Sequence, residues 1–361
     1  MRKLLIVLAA FAFTVAYSVP AMADADWDWY GHARILTFNT TVSKEATTTG
    51  VEDEDLTHIL SGSGRVGANV KAGDIRGRVE VNSTFGLRLL YAYWEAGFGK
   101  LLVGQDYCPT NFFISNMAYG DNSMVSYGVS YAGRQPQVKL LLLNEALQIA
   151  LIQHSVVSAA GLAPTETDTG IPKIEAAYSL KLGPVSLTIF GGMNTHDDSV
   201  IVGTTETTYS IDSSVFGVGF KIPVGALYIN GTAWVAQNPA NYGQLTKTAT
   251  AGAAQYIAAN NSIEDAEATV YALVVGYKIS DMLTIEGGYG FFHNEVDTAV
   301  GVTTEEESNF FYVQLPITLA KNVWIIPEVG SVDYGDREAT GATAVELGDM
   351  SYWGAKWEIR F

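Results

Sequence analysis

The sequence has a single cysteine, Cys108, so no intrachain disulfide can form even in an oxidising compartment. Basic residues are scarce. Twenty-one Lys and Arg stand against 38 Asp and Glu, for a net charge of −17. That balance excludes the basic face that nucleic-acid binding requires. Beyond the N-terminal leader, no apolar run reaches the length of a transmembrane helix. Catalytic signatures are missing too. His32, His58, His154, His196 and His293 lie far apart without metal-ligand spacing, and there is no Cys-x-x-Cys-His or Gly-x-Ser-x-Gly. His154 adjoins Ser155, but neighbours on a strand face opposite sides and cannot form a hydrogen-bonded catalytic pair. These absences predict no enzyme, no catalytic residue and no cofactor. Cys108, beside Pro109, reads as a small buried hydrophobe.

What is present begins with a leader. Arg2 and Lys3 precede the apolar run from Leu4 to Ala16, and Ala21-Met22-Ala23 supplies the small residues a signal peptidase reads. Residues 1–23 are therefore expected to be a cleaved secretory signal, and 24–361 a single domain. No lipobox cysteine lies near the cleavage site, which argues against a lipoprotein. With 36 glycines, 19 tyrosines and only 16% charged residues, the exported domain has a composition suited to β-structure.

Two kinds of connection alternate along it. Very short ones carry tight-turn chemistry: Gly73-Asp74, Gly99-Lys100, Asn144-Glu145, Gly183-Pro184, Val224-Gly225, Ser280-Asp281 and Lys321-Asn322. Long, polar ones are acidic or Thr-rich: 40–55, 157–170, 196–210, 238–265, 295–307 and 336–346. Segregated short turns and long loops predict an all-β, transmembrane antiparallel β-barrel. The strands are expected at 27–39, 56–72, 75–86, 87–98, 101–107, 134–143, 147–156, 171–182, 185–195, 211–223, 226–237, 266–279, 282–294, 308–320, 323–335 and 348–361. The even count puts both termini on the short-turn side. Met124 to Tyr131 also reads as β and leaves an extra strand open.

Alternation supports apolar-out and polar-in faces. Gly62, Gly64, Val66, Ala68 and Val70 alternate with Ser61, Ser63, Arg65, Asn69 and Lys71. Val79 and Val81 alternate with Arg76, Arg78, Glu80 and Asn82, and Leu87, Leu89, Tyr91 and Tyr93 lie opposite Arg88. Trp27, Trp29, Tyr30, Tyr93, Trp94, Phe98, Phe310, Phe311, Tyr312, Trp324, Trp353 and Trp357 are expected as interface girdles. In the last segment Trp353, Ala355, Trp357, Ile359 and Phe361 share one face, with Lys356, Glu358 and Arg360 between them.

A chain that ends on the aromatic of such a strand, behind a secretory leader, resembles bacterial outer-membrane β-barrels. In those proteins the terminal Phe belongs to the signal read by the barrel-assembly machinery, so the resemblance gives Trp357, Ile359 and Phe361 that role. The segment from Tyr91 to Gln105, with Gly97-Phe98-Gly99-Lys100-Leu101-Leu102-Val103-Gly104-Gln105, resembles the hairpin before the third loop of the sixteen-stranded Gram-negative porins. Arg134-Gln135-Pro136-Gln137-Val138 and Tyr30-Gly31 fit the same family. The resemblance implies short periplasmic turns, long extracellular loops, and a third loop, 108–133, folded into the lumen as a constriction. It also implies a homotrimer in the outer membrane, in contact with its lipid and lipopolysaccharide.

On that reading Arg34, Arg65, Arg76, Arg78 and Arg88 form a basic ladder on the pore wall, a kind of charged ring that selects ions. The constriction side offers Asp106, Tyr107, Phe112, Phe113, Tyr119 and Asp121. With so few acids opposite, the ladder favours anions locally. The outer loops pull the other way: Glu52, Asp53, Glu54 and Asp55 head a set of acidic clusters that attract cations and could hold divalent ions against lipopolysaccharide phosphates. The function implied is passive diffusion of ions and small hydrophilic solutes. A substrate-selective channel, with Tyr107, Phe112, Phe113 and Tyr119 as an aromatic slide or anion site, and an adhesive or envelope-anchoring barrel stay open beside it. Cation and anion preference are both open.

Overall fold

The structure, a computed structural model, describes residues 25–202, 204–245 and 252–361, so the leader lies outside the described residues. Sixteen strands close one barrel. They are β1 (Asp26–Val42), β2 (Asp53–Leu60 and Arg65–Ala72), β3 (Ile75–Asn82), β4 (Leu87–Ala96), β5 (Gly99–Tyr107), β6 (Arg134–Leu142), β7 (Leu147–Ile152) and β8 (Glu166–Asp168 and Lys173–Leu182). Then come β9 (Val185–Val202), β10 (Thr205–Val224), β11 (Leu227–Gln237), β12 (Ala266–Lys278), β13 (Thr284–Ala299), β14 (Val302–Gln314 and Ile317–Ala320), β15 (Val323–Asp333 and Asp336–Ala339) and β16 (Val345–Glu346 and Asp349–Arg360). Each strand is antiparallel to the next, and β16 returns to β1 with His32 opposite Arg360 and Thr37 opposite Ala355. Closure leaves no unpaired edge, which a sheet in lipid requires. At the seam the chain end is tied in: the Gly31 N–H donates to the Phe361 carbonyl at 2.8 Å, and the Phe361 N–H donates back at 3.0 Å.

All seven expected short turns lie on one rim. Gly73, Gly183 and Gly225 take φ of 60–62°, the left-handed conformation that a two-residue hairpin turn needs. The other rim departs from expectation. Residues 196–210, 295–307 and 336–346, expected as long loops, are mostly strand: β9 and β10 pair as far as Val202 and Thr205, β13 and β14 to Ala299 and Val302, and Asp336–Ala339 extends β15. Their Thr, Val and Ile content favours an extended backbone despite its polarity. These hairpins therefore rise beyond the apolar band. Two expected continuous strands are broken instead, β2 at Ser61–Gly64 and β14 before Pro316, which has no N–H to give the ladder. Met124 to Tyr131 joins no barrel strand and belongs to the third loop.

Side-chain alternation follows the closed sheet. Trp353, Trp357, Ile359 and Phe361 project outward, while Met350, Tyr352, Lys356 and Glu358 are buried inside. Val138, Leu151, Phe216, Leu273, Val313 and Val329 continue the exposed apolar band around the barrel. A soluble protein does not expose such a belt; lipid covers it. The girdle is smaller than expected. Trp27, Trp29, Trp94, Phe98, Phe311, Trp353 and Trp357 face outward, whereas Phe310 and Tyr312 are buried inside, Tyr30 bonds the inward Glu80, and Trp324 lies under Arg360 on the inner wall. Tyr91 and Tyr93 also face inward, paired across the sheet with Arg78 and Arg76. A register shift between Glu80 and Val81 brings both Arg88 and Leu89 inside, against the simple alternation expected there.

Placing a charge in the apolar band should be costly. Leu273→Arg, near the middle of β12, is expected to destabilise the folded barrel by about 2–4 kcal/mol in urea titrations in lipid vesicles. An unchanged transition would mean that Leu273 does not face the bilayer.

Candidate functional site

Residues 108–133 leave β5 beside β6 and cross the inside of the barrel. Their base is zipped: the Cys108 N–H donates to the Gly133 carbonyl at 3.2 Å, and Asn111 Nδ2 does so at 2.6 Å. Beyond it the apolar loop residues that looked out of place for a surface find partners on the wall. Cys108 and Ala132 pack with Ile152, Phe190, Trp234 and Phe292. Ile114, Met117, Met124 and Tyr127 pack with Leu36, Phe38, Phe310, Tyr312 and Tyr352. Tyr119 stacks on Tyr352 with centroids 3.9 Å apart. At Gly128 and Gly290 backbone meets backbone: a Cβ on Gly290 would lie 2.1 Å from the Tyr127 carbonyl oxygen. A glycine is needed there because the loop touches the wall.

The loop's polar groups are met by three inward carboxylates. Glu175 on β8 accepts the Thr110 N–H at 3.0 Å. Glu328 on β15 accepts the Ala118 and Tyr119 N–H groups at 2.5 and 2.9 Å, and the Tyr352 hydroxyl at 2.8 Å. Glu286 on β13 accepts Ser115 Oγ, Tyr228 and Tyr312 hydroxyls and Gln314 Nε2, at 3.0, 2.5, 2.6 and 2.6 Å. Charge-assisted bonds of this kind are stronger than neutral ones, and they hold backbone that water cannot reach freely.

The loop tip is clamped in the opposite sense. Asp121 lies 3.1 Å from Arg34 and 3.0 Å from Lys356, and accepts the Ser61 hydroxyl at 2.7 Å. Glu358 joins the group through Arg34 at 3.1 Å and Arg360 at 2.5 Å. Burial opposes the charge on Asp121, but Lys356 and Arg34 outweigh it and hold its carboxyl below the ordinary range. Asp121, Ser123, Met124 and Ser126 all sit at positive φ, from 50 to 72°. The clamp therefore holds a strained tip.

Arg34, Arg65, Arg78 and Arg88 do come together on the wall. Their balance differs from a bare basic ladder, because Glu80 is buried among them, 2.7 Å from Arg88, 2.9 Å from Arg78 and 3.5 Å from Arg65. Arg76 stands apart at the turn rim, paired with Glu95 at 3.2 Å and bonded to the Gly73 carbonyl. Asp106 does not oppose the ladder; it lies 2.5 Å from Lys139 on the neighbouring strand. Of the loop aromatics, Phe112 and Tyr119 are anchors packed on the wall, with Phe112 over Gly219 and Phe190. Tyr107 and Phe113 line the open space. Glu52, Asp53, Glu54 and Asp55 are exposed at the loop rim.

Below the loop a cavity of about 930 Å³ runs toward the turn rim. Seven cations line it (Arg34, Arg65, Arg88, Arg134, Lys278, Lys356, Arg360) against three carboxylates (Asp121, Glu286, Glu358). The sixth loop leans in as well: the Tyr131 N–H donates to Gln244 Oε1 at 2.8 Å, and Lys173 Nζ donates to the Tyr242 carbonyl at 2.9 Å. Sequence reading passed over Glu175, Glu286, Glu328, Lys356 and Glu358 as site residues. The signal available was a lone charge at inward parity in a spanning strand.

A sequence model of the family described as Gram-negative porin matches residues 7–337. No curated protein matches the sequence. Among solved structures, the chain is similar to the outer membrane channel DcaP of Acinetobacter baumannii (TM-score 0.68, 16% identity, covering 94% of this chain and 99% of that one). It is also similar to the anion-selective porin from Comamonas acidovorans (TM-score 0.61, 10% identity, 94% and 100% covered). A third is the trimer form of OmpT, an outer membrane protein of Vibrio cholerae (TM-score 0.60, 16% identity, 94% and 100% covered).

Asp121→Ala should free the loop tip. Removing one partner of a buried pair costs about 3 kcal/mol of anchoring, so proteolysis within 108–133 should accelerate while the barrel stays folded. Cleavage at the unaltered rate would contradict the clamp. Because the carboxyl is depressed, its contribution is present above the ordinary carboxylate range and lost as pH falls through the lowered value. The thiol of Cys108 is a separate check. Burial, reinforced by the Glu175 charge, pushes it up to about 12. A maleimide at neutral pH should leave Cys108 unlabelled until the barrel is unfolded.

Proposed function

The chain belongs to the Gram-negative porin family, and from that premise we propose that its pore favours anions. It is an outer-membrane channel for small solutes. The observation that carries the proposal is the charge balance in the cavity below the third loop, seven cations to three carboxylates. Inward acids are largely engaged. Glu175, Glu286 and Glu328 hold the loop, Glu80 is shared by three arginines, and Asp121 and Glu358 are paired with Arg34, Lys356 and Arg360. Anions meeting this wall find guanidinium and ammonium groups in excess. Arg34, Arg65, Arg78 and Arg88 form the filter on this reading, with residues 108–133 as the constriction that limits size.

The remaining parts follow from the same premise. Residues 1–23 act as a cleaved signal and 24–361 as one barrel domain. Three copies assemble, as the trimer form of the Vibrio cholerae protein supports. Trp357, Ile359 and Phe361 present the assembly signal to the barrel-assembly machinery; Phe361 is exposed and its backbone is tied to Gly31 at the seam. The outward acidic groups at the extracellular rim, Glu52, Asp53, Glu54 and Asp55 among them, meet lipopolysaccharide through divalent cations. The channel works without a cofactor and catalyses no reaction.

Conductance and zero-current potential of the refolded protein in a planar bilayer under a KCl gradient test the reading. Discrete steps with a potential of the sign set by chloride are expected. A cation-set potential, or silence from a protein shown to be folded, would overturn it.

A further inference from the structure

One part of the cavity wall combines two chemistries. Arg65 from β2, Arg88 from β4 and Arg134 from β6 line it together with the rings of Tyr107, Phe113 and Tyr131. The guanidiniums converge on one point: Arg88 and Arg134 both donate to the Tyr107 hydroxyl, from 3.5 and 3.4 Å. These are long, weak bonds that a stronger acceptor would displace. Arg134 has no carboxylate within ion-pair distance among the described residues, and its guanidinium lies 5.4 Å above the Tyr107 ring. Glu80 on the same wall is already divided among Arg65, Arg78 and Arg88. The planar fork of arginine matches a carboxylate in two-point contact.

The rings beside this charge form their own surface. Phe113 meets Tyr107 edge-on with centroids 5.6 Å apart, and Tyr131 at 5.7 Å. Phe112 and Tyr119 on the same loop are partly buried and packed on wall rings, whereas Phe113 borders the cavity. An apolar ring facing water in a polar lumen gains by covering itself with a flat apolar body. A hydrated inorganic anion uses only the arginines. An anion with an aromatic body uses both halves.

We propose that this wall is a binding site for small aromatic carboxylates. Their carboxylate is taken by Arg88 and Arg134, with Arg65 behind, and their ring lies against Phe113 and Tyr107. The proposal rests on the anion-favouring reading above and adds to it a substrate class. The pore then concentrates such solutes at its constriction instead of passing all anions alike.

The test is block of the KCl current in planar bilayers by benzoate, with acetate and inorganic phosphate as comparisons. Benzoate should half-block at a concentration at least tenfold below acetate. Phe113→Ala should raise the benzoate value toward that of acetate and leave the acetate value in place. Arg134→Gln should weaken block by both, with Arg134→Lys recovering part of the acetate effect. Each variant is scored only as a heat-modifiable, folded barrel. Equal half-block by benzoate and acetate overturns the proposal. So does phosphate block as strong as that of benzoate, which would give the site to inorganic anions. So does a Phe113→Ala effect of the same size on both carboxylates. If block fails while the zero-current potential remains anion-favouring, only the aromatic site falls. A cation-set potential or a silent barrel removes the reading beneath it as well.

Discussion

A loop folded into a channel brings backbone N–H groups away from free water, and every one must find an acceptor. In this barrel the acceptors are carboxylates placed on distant strands. Glu175 takes Thr110, Glu328 takes Ala118 and Tyr119, and Glu286 takes the Ser115 hydroxyl. The loop's own carboxylate, Asp121, is received by Arg34 and Lys356 on the seam strands. The wall therefore fixes the loop with both signs of charge, at points spread from β1 to β16. Apolar packing on Phe190, Trp234, Phe310 and Tyr352 fills the space between those points.

Fixing the loop this way also bears on which charged groups line the cavity. Carboxylates that hold amide groups or share arginines have their lone pairs and charge committed locally, and what faces the cavity is mostly cationic. The chain's overall acidity does not reach that surface. Its acidic groups are concentrated outward on the tall hairpins and at the loop rim, where Glu305, Glu307, Asp333, Asp336 and Glu338 surround one outer basin. Net charge read from composition and the balance of charged groups lining this cavity thus have opposite signs, because closure of the barrel separates the two faces.

Much of the fold was legible. Sixteen strands, seven tight turns and the outward face of the last strand follow from period-two patterning and from Gly, Asn and Asp at turns, both of which are local properties. The misreadings are physical too. Polarity at 196–210 and 295–307 suggested loops, yet Thr-rich segments pair well as strands once a neighbour is present. A register shift beside Glu80 moved Tyr91 and Tyr93 to the inner face. For the site, inward parity found Arg34, Arg65, Arg78 and Arg88, and the same rule would have found Glu175, Glu286 and Glu328. Their partners were out of reach. Asp121 and Lys356 are 235 residues apart in sequence, and only closure of the sheet brings them together.

Hydrogen exchange of the amides of Thr110, Ala118 and Tyr119 tests the central claim, that wall carboxylates staple the loop across the lumen. The account predicts protection comparable to that of β13 and β15, lost at Ala118 and Tyr119 when Glu328 is replaced by alanine. Exchange at the rate of an exposed loop in the unaltered protein would contradict it.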